Sequence, residues 1–246
     1  MAHRLPAQTA AKCNAGPGGC QRIRAGLLLP AGLAIALLAA EQPVPAASGT
    51  AAGSPAAAAR AITTRLNAVR GLTAQFTQTL ESSALPGPQI EEGTLTLQRP
   101  GRMRWDYRRP AGKLAVADGT RSWLYLPDDR QVLVGSLQAS GQSQGIGILL
   151  ADRIDLAAEF RAEWGVPRER RLPPPLLLRP LSPKAEYDHL LLETDPGGFP
   201  VLLAIIDALG GSVTYRFTDL RFDGPIDPSL FKFTPPQGVE VQEIAP

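Results

Sequence analysis

The sequence predicts a mainly β protein in which one antiparallel sheet, curved or barrel-like, carries helices over its concave side. A hydrophobic period of two recurs in about ten segments after residue 71, as half-buried strands require. Tight turns such as Asp118-Gly119 join successive segments, as in an antiparallel meander. Helical spacing occurs in two regions. Because a sheet of about ten strands tends to curl or close, we expect curvature; a β-sandwich is the main alternative.

The first 46 residues are predicted to be a signal peptide and flexible leader. Residues 1–24 carry four basic and no acidic side chains, and an apolar run of 16 residues follows at 25–40. This arrangement is typical of a secretory signal. An uncleaved anchor is the alternative, but the run is short for a membrane span of about 20 residues. Cleavage after Ala40, Ala46 or Ala47 fits the sequence, and residues 47–246 are predicted to be one domain.

Cysteine and charge restrict the function of the exported protein. Cys13 and Cys20 precede the apolar run, so cleavage removes both and a disulfide scaffold is excluded. No cysteine follows the run to accept a lipid, so we expect a soluble, unanchored protein. Removing four cations and one anion from totals of 25 and 23 leaves 21 and 22, a net charge of −1. This balance argues against a nucleic-acid partner, which would favour a basic excess.

The segment after the leader is predicted to be an amphipathic helix ending near Gly71. Ser54 followed by Pro55 is typical of an N-cap and a first helical residue. Ile62, Leu66 and Val69 recur at helical spacing, and Gly71 is the expected C-cap. Because the apolar stripe is one residue wide, the helix needs another surface to be stable.

The pair of strands from Gly93 to Tyr107 contains the most informative conflict in the sequence. In the first strand Thr94, Thr96 and Gln98 alternate with Leu95, Leu97 and Arg99. Arg99, just before the turn at Pro100-Gly101, therefore falls on the leucine face. A guanidinium on an apolar face is costly unless other groups accept its hydrogen bonds.

The other predicted strands show the same alternation or short apolar runs. They lie at 72–81, 113–117, 121–126, 131–134, 176–178, 189–193, 201–206 and 212–222. The shared parity of Phe231 and Phe233 suggests a last strand that the following two prolines stop. Residues 166–180 begin as a charged, proline-rich stretch, which predicts a surface loop.

Residues 135–165 break the strand pattern. The stretch starts rich in Gly and Ser and becomes weakly helical, with a second helical or irregular piece at 154–160. Its apolar turn contains Ile146, Ile148, Leu149 and Leu150. This turn is either a movable cover over the sheet or a simple strand crossover, and the residues leave both open.

Groups for catalysis are scarce, which favours a binding protein over an enzyme. After cleavage His189 is the sole histidine and no cysteine remains, which excludes zinc sites and Cys-His nucleophiles. We therefore predict no metal and no cofactor. An incompletely filled barrel would present a dry apolar cavity. Trp105, Trp123 and Tyr125 either line such a cavity or fill an ordinary core.

Four motifs, in the same order, resemble the outer-membrane lipoprotein carriers, the LolA-type periplasmic chaperones. They are Leu72–Gln78 (LTAQFTQ), Gly93–Trp105 with its Arg-Pro and Trp, Val116–Tyr125 (VADGTRSWLY) and Phe231–Val239 (FKFTPPQGV). Leu181–Ala185 is also similar to a family segment. Met103 stands where the family often has an aromatic residue, and the prolines at 173–175 are a further departure.

The resemblance implies an unclosed antiparallel β-barrel with a helical lid over a cavity that shields lipoprotein acyl chains in the periplasm. It implies an inner-membrane ABC-type complex that loads the carrier, an outer-membrane lipoprotein acceptor that unloads it, and a monomer. By this alignment Arg99 takes the place of the family's lid-fastening arginine. The lid is then either 146–150 or the first helix. The candidate cavity residues are Phe76, Leu95, Leu97, Met103, Trp105, Trp123 and Tyr125.

Two other functions remain open from the sequence. One is a lipid-binding relative of the same fold, anchored or soluble, that acts as acceptor or sensor; the missing cysteine argues against an anchor. The other, from a different class, is a periplasmic hydrolase or a sugar-binding β protein. Loss of activity in His189→Ala would favour the hydrolase, whereas a co-purified lipoprotein would favour the carrier.

Overall fold

The computed structural model describes residues 53–136, 151–169 and 172–244. Within these ranges the chain forms one twelve-stranded sheet, two α-helices and one 3-10 helix. The helices are α1 (Pro55–Ala68), α2 (Leu156–Glu159) and the 3-10 helix Pro228–Phe231. The strands are β1 (Gly71–Glu81), β2 (Gln89–Gln98), β3 (Arg102–Arg109), β4 (Leu114–Asp118), β5 (Arg121–Leu126), β6 (Gln131–Ser136), β7 (Phe160–Trp164), β8 (Leu176–Pro180), β9 (His189–Thr194), β10 (Pro200–Ile206), β11 (Ser212–Phe222) and β12 (Glu240–Glu243).

The strands follow the order β12-β6-β5-β4-β3-β2-β1-β11-β10-β9-β8-β7 along the sheet. Neighbours are antiparallel, and β12 is the exception because it runs parallel to β6. β1 lies in the middle, between β2 and β11, and the end strands β12 and β7 do not pair with each other in the described sheet. The predicted fold class, a curved and unclosed antiparallel sheet with few helices, is confirmed.

Helix α1 begins as the sequence predicts, and its C-cap, Val69, lies two residues before the expected one. The Ser54 hydroxyl accepts a hydrogen bond from the Ala57 N–H at 3.2 Å, and Pro55 is the first helical residue. The helix ends at Ala68 because Val69 is extended. Gly71 is therefore the first residue of β1 and not a C-cap, and two residues connect α1 to the sheet.

Three differences from the predicted elements occur after residue 159. β7 is a strand where we expected helical or irregular structure, and β12 is a strand beyond the predicted end of the sheet. Both carry charged side chains at the edge of the sheet, which weakens the apolar alternation that identifies a strand. The predicted strand at Phe231 is instead the end of a 3-10 helix, which Asp227 caps by accepting the Ser229 N–H at 2.9 Å.

Cross-strand pairing assigns the side chains of the sheet to two faces, because directly paired residues share a side. Phe76 pairs with Gly93 on β2 and with Phe217 on β11. The apolar side chains of α1 pack in the same buried cluster as Phe76, and we call this side the covered face. The other side, the opposite face, contacts the C-terminal segment: the Arg104 Nη1 donates to the Leu230 carbonyl at 3.1 Å.

Candidate functional site

Arg99 directly follows the last residue of β2, where the sequence placed a guanidinium on an apolar face. It is 8% exposed, and its Nη1 donates to the Leu66 carbonyl oxygen of α1 at 2.7 Å. The Leu66 oxygen lies in the last turn of α1 and also accepts the Val69 N–H at 3.2 Å, so its second lone pair is available to the guanidinium. The buried acceptor that the sequence conflict requires is therefore on α1.

The charge of Arg99 is held in a partly desolvated position. Burial, with the nearby charge of Arg70, lowers the pKa of Arg99 from its ordinary value to about 10, and Asp152 opposes that change. Arg99 therefore keeps its proton at neutral pH. An ionised donor makes a stronger hydrogen bond than a neutral one, which favours the contact with α1.

The connection between α1 and β1 is fixed beside Arg99 by one carboxylate. The Asp223 Oδ1 accepts the N–H groups of Arg70 and Gly71 at 2.9 and 3.0 Å. These two backbone bonds lower the pKa of Asp223 below its ordinary value of 3.8. A pocket of about 410 Å³ opens at this point. It is lined by Arg70, Gly71, Gln98, Arg99, Pro100, Asp223, Gly224 and Ile226.

The covered face is apolar and rich in aromatic rings. Phe76 meets Trp105 edge to face at 4.6 Å between ring centroids and meets Tyr107 at 5.1 Å. Trp105 also contacts the rings of Tyr215 and Phe217 at 5.3 and 6.2 Å. Contacts of this kind add to the free energy of burial and give the face a defined shape.

Five of the seven predicted cavity residues lie on this covered face. Phe76, Leu95, Leu97 and Trp105 are at most 3% exposed, and Met103 is partly buried against the same cluster. Leu97 pairs with Met103, and Leu95 with Trp105, across β2 and β3. These five candidate side chains therefore share one surface of the sheet.

Trp123 and Tyr125 lie on the opposite face and contribute nothing to the covered face. Trp123 pairs with Val116 and Tyr125 with Leu114, whereas Trp105 pairs with Ala115. Both rings contact Phe233, at centroid distances of 6.4 and 6.2 Å. The signal that could have shown this is the two-residue turn between β4 and β5, because its length fixes which residues pair.

Of the two candidates for a lid, the structure describes only α1. Ile146, Ile148, Leu149 and Leu150 lie outside the described residues. The alternative, α1, buries Ala59, Ile62 and Leu66 in the cluster of the covered face. It is also the element that accepts the hydrogen bond of Arg99.

A polar group of side chains occupies the far end of the covered face. Lys113 Nζ and Glu91 Oε1 are 2.6 Å apart and mostly buried, and the Tyr107 hydroxyl donates to the Gln78 Oε1 at 3.2 Å. Burial raises the pKa of Tyr107 and raises that of Tyr215 to about 12. Both hydroxyls therefore stay neutral, as their apolar surroundings favour.

His189, the remaining candidate for catalysis, belongs to a surface network. Its Nδ1 lies 2.6 Å from the Asp188 Oδ2, which also accepts the Arg179 Nη1 at 2.8 Å. Sequence reasoning overlooked that residues 141–145 (GQSQG) have the letters of a nucleophile elbow; they lie outside the described ranges. Such an elbow belongs to the strand-to-helix turn of a parallel sheet, whereas the described sheet is mostly antiparallel.

The described residues contain no group of three or more metal-ligating side chains placed to hold a metal ion. In the same part of the chain no helix is both long and apolar enough to cross a membrane.

The covered face has the composition of many ligand sites, which are lined mainly by hydrophobic and aromatic side chains with a few polar groups. The chain belongs to the LolA family: the family model described as "Outer membrane lipoprotein carrier protein LolA" matches residues 67–234.

Its relatives include two proteins named "Outer-membrane lipoprotein carrier protein". The protein from Alkalilimnicola ehrlichii is 34% identical over 71% of this chain and 78% of its own length. The protein from Methylococcus capsulatus is 33% identical over 72% and 84%. The crystal structure of a LolA superfamily protein from Nitrosomonas europaea is 12% identical, covers 71% of this chain and 97% of that chain, and has a TM-score of 0.42.

Proposed function

We propose that this protein is a periplasmic carrier that binds the acyl chains of lipoproteins against its covered face. The observation that carries the proposal is the placement of Arg99, whose Nη1 donates to the Leu66 carbonyl beside an apolar surface in a LolA-family chain. An acyl chain of about 16 carbons gains on the order of 12 kcal/mol from burial, at about 0.8 kcal/mol per methylene. The covered face supplies that burial only where α1 is displaced.

Arg99 acts as a latch that favours the closed, empty state. Without an opposing force, the gain from acyl burial would hold the cargo too tightly for transfer. A hydrogen bond from a charged donor contributes about 1.5 to 3 kcal/mol, which changes a closed-to-open ratio by roughly 10- to 150-fold. The latch makes the release of cargo favourable because closure of α1 restores this bond.

A carrier of this kind has a defined location and defined partners. The mature chain, residues 47–246, works as a soluble monomer in the periplasm after removal of the signal segment. It accepts lipoproteins from an inner-membrane ABC-type releasing complex and delivers them to an outer-membrane lipoprotein acceptor. The names of the relatives support the cargo, and the balanced charge of the mature chain fits a protein that avoids anionic surfaces.

The carrier function is tested by isolating the protein from the periplasm and identifying bound lipoprotein by mass spectrometry. We expect acylated lipoprotein at a stoichiometry near one in the loaded fraction. If the protein is isolated without bound lipoprotein even when the releasing complex is overproduced, the carrier function is contradicted. His189→Ala is a useful companion, because the carrier requires no catalytic histidine and the variant should transfer cargo normally.

The latch is tested by transfer from purified carrier to acceptor. Arg99→Leu should load lipoprotein and release roughly tenfold less of it to the acceptor. Arg102→Leu is the matched control, because Arg102 is exposed and its Nη1 donates to the Gln98 side chain at 3.3 Å. Normal transfer by Arg99→Leu would contradict the latch and leave the carrier function intact.

A further inference from the structure

Asn67, in the last turn of α1, makes two reciprocal hydrogen bonds to one residue outside the helix. Its Nδ2 donates to the Ile154 carbonyl at 2.8 Å, and its Oδ1 accepts the Ile154 N–H at 2.9 Å. Ile154 is 1% exposed and belongs to no helix or strand, so its backbone groups need partners from another element. The Asn67 amide supplies both, as a neighbouring strand would.

Thr63 adds a third bond one turn earlier on the same side of α1. Its hydroxyl oxygen accepts the N–H of Leu156, the first residue of α2, at 3.2 Å. Residues four positions apart share a helix face, so Thr63 and Asn67 contact the segment 151–159 together. Asparagine and threonine are weak helix formers, and these contacts give each of them a role in α1.

These bonds lie beside the contact of Arg99. The carbonyl of Leu66 accepts the Arg99 guanidinium, and the next side chain, Asn67, holds Ile154. Ile154 and Leu156 are fully buried in the cluster of the covered face, together with Ile62 and Leu66 of α1. Within the described residues, the covered face therefore lies under two pieces, α1 and residues 151–159. The hydrogen bonds between Asn67 and Ile154 tie the two pieces together, and Arg99 contacts α1 at the residue next to Asn67.

We propose that Asn67, with Thr63, is a positioning residue that makes α1 and residues 151–159 open as one lid, so that the Arg99 latch controls both. The inference rests on the proposed latch function. One displacement then uncovers the apolar surface beneath both pieces. Without the tie, breaking the latch would free α1 alone and leave Ile154 and Leu156 covering part of the acyl site.

The test is native-state hydrogen exchange of the cargo-free mature protein, in single variants and in combination with Arg99→Leu. The reporters are amides of α1 and, for the second piece, the N–H groups of Ala158 and Glu159, which bond to the Asp155 carbonyl. With Asn67 present, Arg99→Leu should speed exchange in both pieces by the same factor. In Asn67→Leu it should speed α1 alone, so the exchange rates of the two pieces should differ by roughly 10- to 150-fold.

Three further variants keep the test independent of folding problems in Asn67→Leu. Asn67→Asp preserves the shape and the acceptor for the Ile154 N–H but places an oxygen against the Ile154 carbonyl, and should uncouple the pieces partly. Thr64→Val is the matched control for Thr63→Val, because the Thr64 hydroxyl donates to the Arg60 carbonyl of its own helix at 3.0 Å. Thr64→Val should leave the pieces coupled, and Thr63→Val should weaken the coupling.

Equal acceleration of both pieces by Arg99→Leu in Asn67→Leu and Asn67→Asp would overturn the proposal. So would acceleration of α1 alone when Asn67 is present. Because no cargo is used, these outcomes are separate from those of the lipoprotein isolation. If the protein carried no lipoprotein but α1 and residues 151–159 still exchanged together, the carrier function would be wrong and the single lid would stand.

Discussion

The ring of Phe76 lies against Gly93, its paired neighbour on β2, at a distance that leaves no space for a side chain. A Cβ at Gly93 would lie 2.8 Å from the Phe76 Cε1 and 2.1 Å from the Asp106 carbonyl oxygen. The absence of a side chain lets Phe76 lie flat enough to meet Trp105 and Tyr107 edge to face. Gly93 is thus part of the aromatic packing of the covered face.

Gly93→Ala should destabilise the protein by about 1 to 3 kcal/mol, because the added methyl group forces the backbone of β3 or the Phe76 ring to move. The measurement is the free energy of unfolding in urea. Gly87→Ala is the control, since a Cβ there meets nothing within 4 Å. Equal free energies of unfolding for the two variants would show that the sheet accommodates a methyl group at Gly93 without loss of stability.

Trp105→Phe should weaken lipid binding, whereas Trp123→Phe should leave it unchanged. Trp105 is 3% exposed on the covered face, so the smaller ring should weaken binding of a fluorescent fatty acid by about 1 kcal/mol. Trp123, against Phe233 on the opposite face, should leave the affinity unchanged. Titration of the probe into each variant gives the dissociation constants. A weaker affinity in Trp123→Phe alone would indicate that the ligand binds the opposite face and would contradict the proposal.

Asp223→Asn should lower stability at neutral pH by about 0.5 kcal/mol, a small effect because solvent screens this exposed carboxylate. Its pKa in the folded protein is lowered by the Gly71 and Arg70 N–H groups. A lowered pKa stabilises the folded state above the unfolded pKa of about 4, and this contribution is lost as pH falls through the folded value. The difference between wild type and variant should therefore vanish in strong acid.

Thermal unfolding between pH 2 and pH 7 measures this difference. Asp219→Asn is the matched control, because Asp219 and Asp223 have φ angles of 52° and 51° and the replacement tolerates that region equally. A stability difference for Asp223→Asn that stayed constant down to pH 2 would exclude the carboxylate charge as its cause.

Phe231→Ala should destabilise the protein by about 3 to 5 kcal/mol without altering fatty-acid affinity. Phe231 is 2% exposed at the end of the 3-10 helix, which lies against β3 and β4 on the opposite face. Leu230→Ala is the control, since Leu230 is 38% exposed and should cost less than about 1 kcal/mol. Urea unfolding and probe titration of both variants check the two parts. A lost affinity with preserved stability would contradict this separation of the faces.

The sequence identified the parts of the fold where one strand face is apolar and the other polar. Alternation predicted β1, β2 and β3 as strands, and the pairing of β2 with β3 puts Leu95, Leu97 and Trp105 on one side. It also marked Arg99 as an exception that needed an acceptor. The acceptor itself was beyond prediction, because the Leu66 carbonyl is a backbone group that carries no side-chain signature.

The failures have equally local causes. β7 and β12 lie at the edges of the sheet, where charged side chains replace the apolar alternation. Trp123, a candidate cavity residue, lies on the opposite face because turn length, rather than residue type, sets pairing across β4 and β5. The tie between Asn67 and Ile154 joins residues 87 positions apart, and nothing in either local segment indicates the other.

The short connection between α1 and β1 determines how a lid could leave the sheet. Two residues join the end of α1 at Ala68 to Gly71. The 14-residue helix is about 20 Å long, whereas Leu66 lies about 3 Å from its end. A swing about this joint would move the far end of α1 several times farther than the Leu66 carbonyl. The bond from Arg99 to the Leu66 carbonyl therefore lies close to the joint, so the small movement that breaks it becomes a much larger movement at the Pro55 end and opens a wedge-shaped gap beneath the helix.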